Sequence, residues 1–155
     1  MTVPTAQPPT VRRALAEDAA LVAPLFDAYR VFYGQGSDLA GAQAFLSERL
    51  RLNESVVFLA ELASGVTAGF TQLYPAFTSV GVGRVWLLND LFVAQEARRM
   101  GVSTALLGAA RQHGLATGAA RLVLTTETDN FPAQASYEAH GWTRNERIYT
   151  YELPL

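Results

Sequence analysis

Asn89-Asp90-Leu91-Phe92-Val93-Ala94-Gln95-Glu96-Ala97-Arg98-Arg99-Met100-Gly101-Val102-Ser103-Thr104-Ala105-Leu106-Leu107 is the run that sets the fold. It passes from an apolar strand through a short polar and basic loop into a helix that begins near a glycine. The first N–H groups of a helix have no carbonyl partner within it, and the helix dipole places positive potential there. Anions bind readily at such ends, phosphates above all. Gly101 has no side chain to hold a phosphate away from the backbone, and Ser103 is small. Arg98 and Arg99 add fixed positive charge. The loop and first turn formed by Arg98, Arg99, Met100, Gly101, Val102, Ser103 and Thr104 are therefore expected to cradle a pyrophosphate.

The spacing differs from that of the other common phosphate loops. Gly-x-x-x-x-Gly-Lys-Ser/Thr is absent, which argues against a P-loop. Gly-x-Gly-x-x-Gly between a strand and a helix is absent too. Gly81-Val82-Gly83 precedes a strand and reads as a hairpin turn.

Composition bounds the rest. The 155 residues suit one domain with one sizeable core, and 50% of them are hydrophobic, so the chain is not a disordered one. A net charge of -2 without a long basic run gives no electrostatic case for a nucleic-acid partner. The absence of cysteine excludes disulfides, a thiol nucleophile and thiolate metal sites. His113 and His140 have no partner at metal-ligand spacing, so no metal is expected, and both read as surface or helix-terminal residues. Met1–Pro9 is polar, contains proline and lacks an apolar signal core. It reads as a flexible lead-in to a single domain over residues 10–155 of a cytoplasmic protein. No segment approaches the roughly 20 apolar residues of a membrane span.

Along the chain, Thr10–Leu15 reads as a strand. A helix follows to about Tyr33, with Leu21, Leu25, Phe26, Tyr29 and Phe32 at helical spacing and Pro24 as a kink or a later start. Ser37 or Asp38 can cap a second helix, about Leu39–Leu52, with Leu39, Ala42, Phe45, Leu46 and Leu50 as its apolar stripe. Val56–Leu62 and Val66–Tyr74 form a hairpin, and Pro75–Gly83 a longer turn. Val85–Val93 is apolar on both faces and therefore central. The helix from Gly101 to about Thr117 carries Val102, Leu106, Leu107, Ala110 and Gly114 on one side. A strand at Arg121–Glu127 then makes a parallel pair, with that helix as crossover. Pro132–His140 is a short helix with Asn130 near its cap, and Trp142–Leu153 a last strand or hairpin. The order is β-α-α-β-β-β-α-β-α-β, a mixed α/β sheet, antiparallel early and parallel around the central strand.

Two motifs in this frame carry a family resemblance. Arg98-x-x-Gly101-x-Ser103 resembles motif A of the GNAT acyl-CoA-dependent N-acetyltransferases, Gln/Arg-x-x-Gly-x-Gly/Ala. The serine at the last position adds a hydroxyl and leaves the backbone amide available. Asn130-x-x-Ala133-x-x-x-Tyr137-x-x-x-Gly141-Trp142 resembles the family's second motif, and the element order matches the GNAT fold over nearly the whole chain. The resemblance implies a mixed twisted sheet whose central strands splay apart at a bulge near Leu91, Phe92 and Val93. The acyl carbonyl and the pantetheine amides are held there, and an N–H near Leu91 or Phe92 stabilises the oxyanion. It implies further that Asn130 contacts the pantetheine arm, beside Ala133, and that Tyr137 protonates the departing thiolate.

An alkyl ammonium must lose a proton before it can attack a thioester. Asp90 and Glu127, expected at the splaying ends of adjacent strands, are the candidate bases. Asn89–Val93 resembles the corresponding strand of polyamine acetyltransferases and of a related polyamine- and histone-acetylating branch, many of which have Glu where this chain has Asn89. By analogy the acceptor side comes from the first two helices, where Tyr29, Arg30, Tyr33, Gln35 and Asp38 are available; Tyr and Asp can enclose a cationic amine. The expected activity is direct transfer of an acetyl group from acetyl-CoA to a primary amine of a small molecule, for example a polyamine-like one. Alternatives are a peptide or protein acetyltransferase acting on lysine or the N-terminus, and a non-catalytic acyl-CoA-binding sensor. An exposed last strand, Arg147–Leu153, could pair across a homodimer.

Overall fold

The computed structural model describes residues 7–155. Residues 1–6 of the expected lead-in lie outside the described residues. The chain forms two compact units, one ending at Leu124 and one spanning Thr125–Leu155.

The first unit is built on a five-stranded sheet whose order follows the sequence: β1 (Thr10–Arg13), β2 (Val56–Glu61), β3 (Thr67–Thr78), β4 (Gly83–Val93) and β5 (Arg121–Val123). The first four are antiparallel to their neighbours and β4–β5 is parallel. The expected mixed sheet is thus present. Its helices are α1 (Ala19–Phe32), entered through a single helical turn at Ala16–Asp18, α2 (Leu39–Arg51) and α3 (Val102–Ala116). α3 is the crossover between the two parallel strands, as the strand–helix–strand order requires.

Both faces of the sheet are covered. On one face α3 buries Val102, Leu106, Leu107, Ala110 and Gly114, the predicted stripe. Two glycines let it approach closely: a Cβ on Gly69 would stand 2.8 Å from the Phe92 carbonyl oxygen and 2.9 Å from Val102 Cγ1, and one on Gly114 would stand 2.5 Å from Leu122 Cδ1. The other face is covered by α1, which buries Ala19, Val22, Ala23, Leu25 and Phe26. Leu21 and Phe32, expected in that stripe, are exposed, because the i, i+3, i+4, i+7 positions facing the sheet are filled largely by alanine and valine. Pro24 lies inside the helix without ending it. In α2, Ala42 and Leu46 are buried while Leu39 and Phe45 are exposed.

Other boundaries also differ from the sequence reading. β3 continues through Pro75 to Thr78, so the turn before β4 shortens to 79–82. β5 ends at Val123, not at residue 127.

In the second unit, α4 (Phe131–Ala139) is the predicted short helix, capped by Asn130 Oδ1, which accepts from the Ala133 N–H at 3.3 Å. The last strand expected at Trp142–Leu153 is not formed: 142–155 carries no strand, and Ile148, Tyr149, Tyr151 and Leu153 are exposed. Alternating side chains make a strand only where a neighbour takes the backbone N–H and C=O groups. Here Asn145 Oδ1 accepts from the Arg147 N–H, and Arg144 pairs with Glu146, which folds the chain into a local turn.

Candidate active site

β3 and β4 pair regularly from Gly69↔Val93 to Gln72↔Asp90, and then the register slips, with Leu73 facing Leu88. Asn89 is the extra residue, a β-bulge in β4. The opening expected near Leu91, Phe92 and Val93 therefore begins two residues earlier. On its other side β4 pairs with β5 only from Val85 to Leu87. From Leu88 to Val93 it has no partner on that side within the first unit, which leaves a backbone edge there along the expected donor-binding residues.

The bulge brings Asp90 to the α1 face. Asp90 is 2% exposed, and its carboxylate accepts from Gln72 Nε2 at 2.5 Å and from Asn89 Nδ2 at 2.9 Å. Thr71 Oγ1 donates to the Asp90 carbonyl at 2.8 Å. The Tyr29 hydroxyl, from α1, donates to the Asn89 carbonyl at 3.2 Å and also reaches the Asp90 carboxylate. Burial pushes the Asp90 carboxyl above the usual carboxylate range, while the hydrogen bonds from Gln72, Asn89 and Tyr29 pull the other way. Such a group accepts a proton more readily than an exposed aspartate.

Asp90 opens onto a cavity of about 450 Å³ lined by residues of α1, α2, β3 and β4, among them Phe26, Tyr29, Asp38, Phe45, Tyr74 and Asn89. Arg30 also reaches its wall. Tyr74 is held protonated, its hydroxyl pushed up to about 12 by burial and then by the Asp90 charge, with Arg49 opposing. Two carboxylates among four aromatic rings make a suitable enclosure for an organic cation. Of the acceptor-side residues read from the sequence, Tyr29, Asp38 and Asn89 line this cavity. Tyr33 and Gln35 do not: Tyr33 packs edge-on to Tyr29 with ring centroids 4.9 Å apart, and the Gln35 N–H donates to the Arg30 carbonyl.

The start of α3 has the form expected of an anion cradle. Its N-cap is Gly101 at φ 80°, in the left-handed region, and no side chain caps the helix. Among the described residues a Cβ there would meet nothing nearer than Pro9 Cδ at 4.0 Å. Arg98, Arg99 and Met100 are exposed and Arg99 itself has φ 62°, while Val102 is buried, anchoring the turn to the core. The glycine cap and the adjacent guanidinium groups fit the diphosphate of coenzyme A.

In the second unit Glu127 is exposed and lies beyond the end of β5, so it does not occupy the strand position that made it a candidate base. Its carbonyl accepts from the Asn130 N–H and from Gln134 Nε2. Tyr137 is half-buried on α4, tilted against Trp142 with ring centroids 6.1 Å apart. Asn130 uses its side-chain oxygen as the helix cap, and Ala133 supplies the capped N–H.

Among the described residues no cluster of three or more His, Asp or Glu could hold a metal ion, and no helix is long and apolar enough to cross a membrane. His140 is the C-cap of α4, whereas His113 is partly buried, its ring 4.6 Å from that of Trp86, and burial lowers its pKa.

The motifs and the sheet have counterparts in known proteins. The acetyltransferase (GNAT) family profile matches residues 22–142. The uncharacterized N-acetyltransferase YhfO of Bacillus subtilis is 47% identical over 92% of this chain and 95% of its own length. Aminoglycoside N(6')-acetyltransferase type 1 of Stenotrophomonas maltophilia is 28% identical over 97% of this chain and 96% of its own. The crystal structure of a probable acetyltransferase superposes with a TM-score of 0.89 at 42% identity, covering 94% of this chain and 97% of that one. The chain belongs to the GNAT family, as an acyl-CoA-dependent acetyltransferase related to the aminoglycoside N-acetyltransferases.

Proposed function

We propose that this acetyltransferase transfers the acetyl group of acetyl-CoA directly to a primary amine of a small polycationic molecule, of the polyamine or aminoglycoside kind, with Asp90 as the proton acceptor. The observation that carries the reading is the buried Asp90 carboxylate on the wall of a cavity lined by Tyr29, Phe45, Tyr74 and a second carboxylate, Asp38. An ammonium entering the cavity is attracted by both carboxylates, and Asp90 takes one of its protons to leave a neutral amine. Acetyl-CoA supplies the thioester carbonyl that this amine attacks.

The amides of residues 102–104, with Arg98 and Arg99, would hold the diphosphate. The edge of β4 at Leu91, Phe92 and Val93 suits the amides of the pantetheine arm; Asn130 and Ala133 belong to the family's second motif. Tyr137 would donate a proton to the leaving thiolate. The polycation is favoured by the two carboxylates and by the relationship to an aminoglycoside acetyltransferase. The exposed apolar side chains at 148–155 would be covered by a second copy, making the working form a homodimer.

Thiol release from acetyl-CoA, screened over polyamines, aminoglycosides, amino acids and a lysine peptide, tests the reading. Turnover with a polyamine or an aminoglycoside, lost in Asp90→Asn, is the expected result. Turnover with the peptide alone would replace the small-molecule assignment. Calorimetric binding of acetyl-CoA without turnover of any amine would make the protein a sensor.

A further inference from the structure

Gln72 is fully buried and is the cross-strand partner of Asp90 at the last regular pair before the bulge. Its side-chain amide donates through Nε2 to Asp90 Oδ2, but its own Oε1 is buried and has no hydrogen-bond partner among the described residues. A buried amide oxygen left unsatisfied is costly, and one beside a buried carboxylate needs a reason. The two ends of the amide supply it. With Nε2 toward Asp90, Gln72 donates to the carboxylate. After a half-turn about its terminal torsion, Oε1 faces Asp90 and can accept from the protonated acid. One side chain therefore satisfies Asp90 before and after it takes a proton, and the orphan oxygen is the half of the pair that the charged state leaves idle.

We infer that Gln72 is the positioning residue for proton transfer at Asp90, holding the carboxylate through Nε2 and the carboxylic acid through Oε1. The inference rests on the reading of Asp90 as the proton acceptor. The proton balance is simple: one proton leaves the substrate ammonium and appears on Asp90 Oδ2, and rotation of the Gln72 amide exchanges a donor for an acceptor with no further proton moved. The other titratable or charged groups around Asp90 are Tyr29 and Arg30 from α1, Asp38 at the N-cap of α2, and Tyr74 from β3, with Arg49 of α2 acting on Tyr74. Two neutral carboxamides donate to Asp90, Asn89 to Oδ1 and Gln72 to Oδ2; Gln72 is the one whose other end is buried and idle, while the Tyr29 hydroxyl is engaged with the Asn89 carbonyl.

The test follows the Asp90 carboxyl directly, by carbon-13 NMR titration of Asp-labelled protein assigned with Asp90→Asn, so that no substrate need be known. Gln72→Leu removes a bond from both forms of Asp90, the stronger one from the carboxylate, so the Asp90 midpoint should rise by about one pH unit, the difference between a hydrogen bond to a charged group and one to a neutral group. Gln72→Glu keeps the shape and places two carboxyls together; they share a proton, so the upper midpoint of the pair should rise further still. Thermal melting of both variants above pH 7 identifies any that fail to fold, and Gln72→Glu serves if Gln72→Leu does not. An Asp90 midpoint that stays put in a folded variant overturns the inference, whatever the turnover assay shows. In a variant whose midpoint has moved, the acid limb of kcat/KM should move by the same amount. A limb that stays put would overturn Asp90 as the base, while leaving intact the finding that Gln72 controls its titration.

Discussion

Trp86 and Phe92 lie six residues apart on β4 yet contact helices on opposite faces of the sheet. The Trp86 ring is 4.6 Å from that of His113 on α3, and its Nε1 donates to Thr117 Oγ1; the Phe92 ring is 6.4 Å from that of Tyr29 on α1. In a regular strand two residues an even number apart share a face. The extra residue Asn89 reverses the alternation, and Asp90 reaches the α1 side only because of it.

Deleting Asn89 should therefore be far more damaging than changing its side chain. Without the bulge, no register keeps both Trp86 and Phe92 against their helices, and Asp90 would be driven into the apolar layer under α3. The expected outcome is an unfolded or insoluble chain. Asn89→Ala keeps the backbone count and loses one hydrogen bond to Asp90, so it should fold with a loss of about 1 kcal/mol. Circular dichroism and thermal melting of the two variants distinguish the backbone effect from the side-chain effect.

Much of this is legible in the residues alone, and what is not has a common cause. The glycine-capped start of α3 and the crossover are local: glycine, helix periodicity and a following strand nearby in the chain suffice to read them, and α3 buries the stripe its spacing shows. The bulge leaves a weaker trace, the polar pair Asn89-Asp90 between Trp86-Leu87-Leu88 and Leu91-Phe92-Val93. That trace is compatible with several registers, and the family resemblance places the bulge further along the strand, at Leu91 to Val93.

Gln72 and Tyr74 leave no trace at all: they meet Asp90 across a hairpin whose length the sequence understates, since β3 runs on through Pro75 to Thr78. The last strand fails for the opposite reason, because alternation at 147–153 shows that a segment can pair and says nothing of whether a partner is offered.

Gly101 should be intolerant of any side chain, for two separable reasons. At φ 80° an L-residue is strained, and Gly101→Ala should lose about 1 kcal/mol of stability. The added methyl also stands where the diphosphate would approach the amides of residues 102–104. Calorimetry should show affinity for coenzyme A reduced by about tenfold or more, which is about 1.4 kcal/mol. A variant that melts lower but binds coenzyme A unchanged would remove the cradle from the start of α3.

Acid should weaken the fold through Asp18. Its carboxylate accepts two hydrogen bonds from Arg12 at 2.9 Å and one from the Leu15 N–H at 2.7 Å. The Arg12 bond, then the backbone bond, hold its pKa below the ordinary carboxylate value. A folded-state pKa lower than the unfolded one contributes stability above the unfolded value, about 3.9, and that contribution is lost as pH falls through the folded value. Asp18→Asn should thus melt below the wild type at pH 7, by about 1 kcal/mol or less because Arg12 is largely exposed. The gap should close as pH falls below about 4 and through the lowered folded-state value. Melting curves across that range check the sign.

Tyr137→Phe isolates the proposed proton donor, because the variant keeps the ring that packs on Trp142 and removes only the hydroxyl. The affinity for acetyl-CoA should stay close to the wild-type value. If the phenol protonates the departing thiolate, kcat should fall by roughly 10²-fold or more, the usual worth of a general acid. The chemistry supplies an internal control. A thiolate of lower basicity departs without needing a proton, so an acetyl thioester of a more acidic thiol should be turned over by wild type and variant at similar rates. A variant slow with every donor would point to a misplaced substrate, and one as fast as wild type with acetyl-CoA would remove Tyr137 from the acid role.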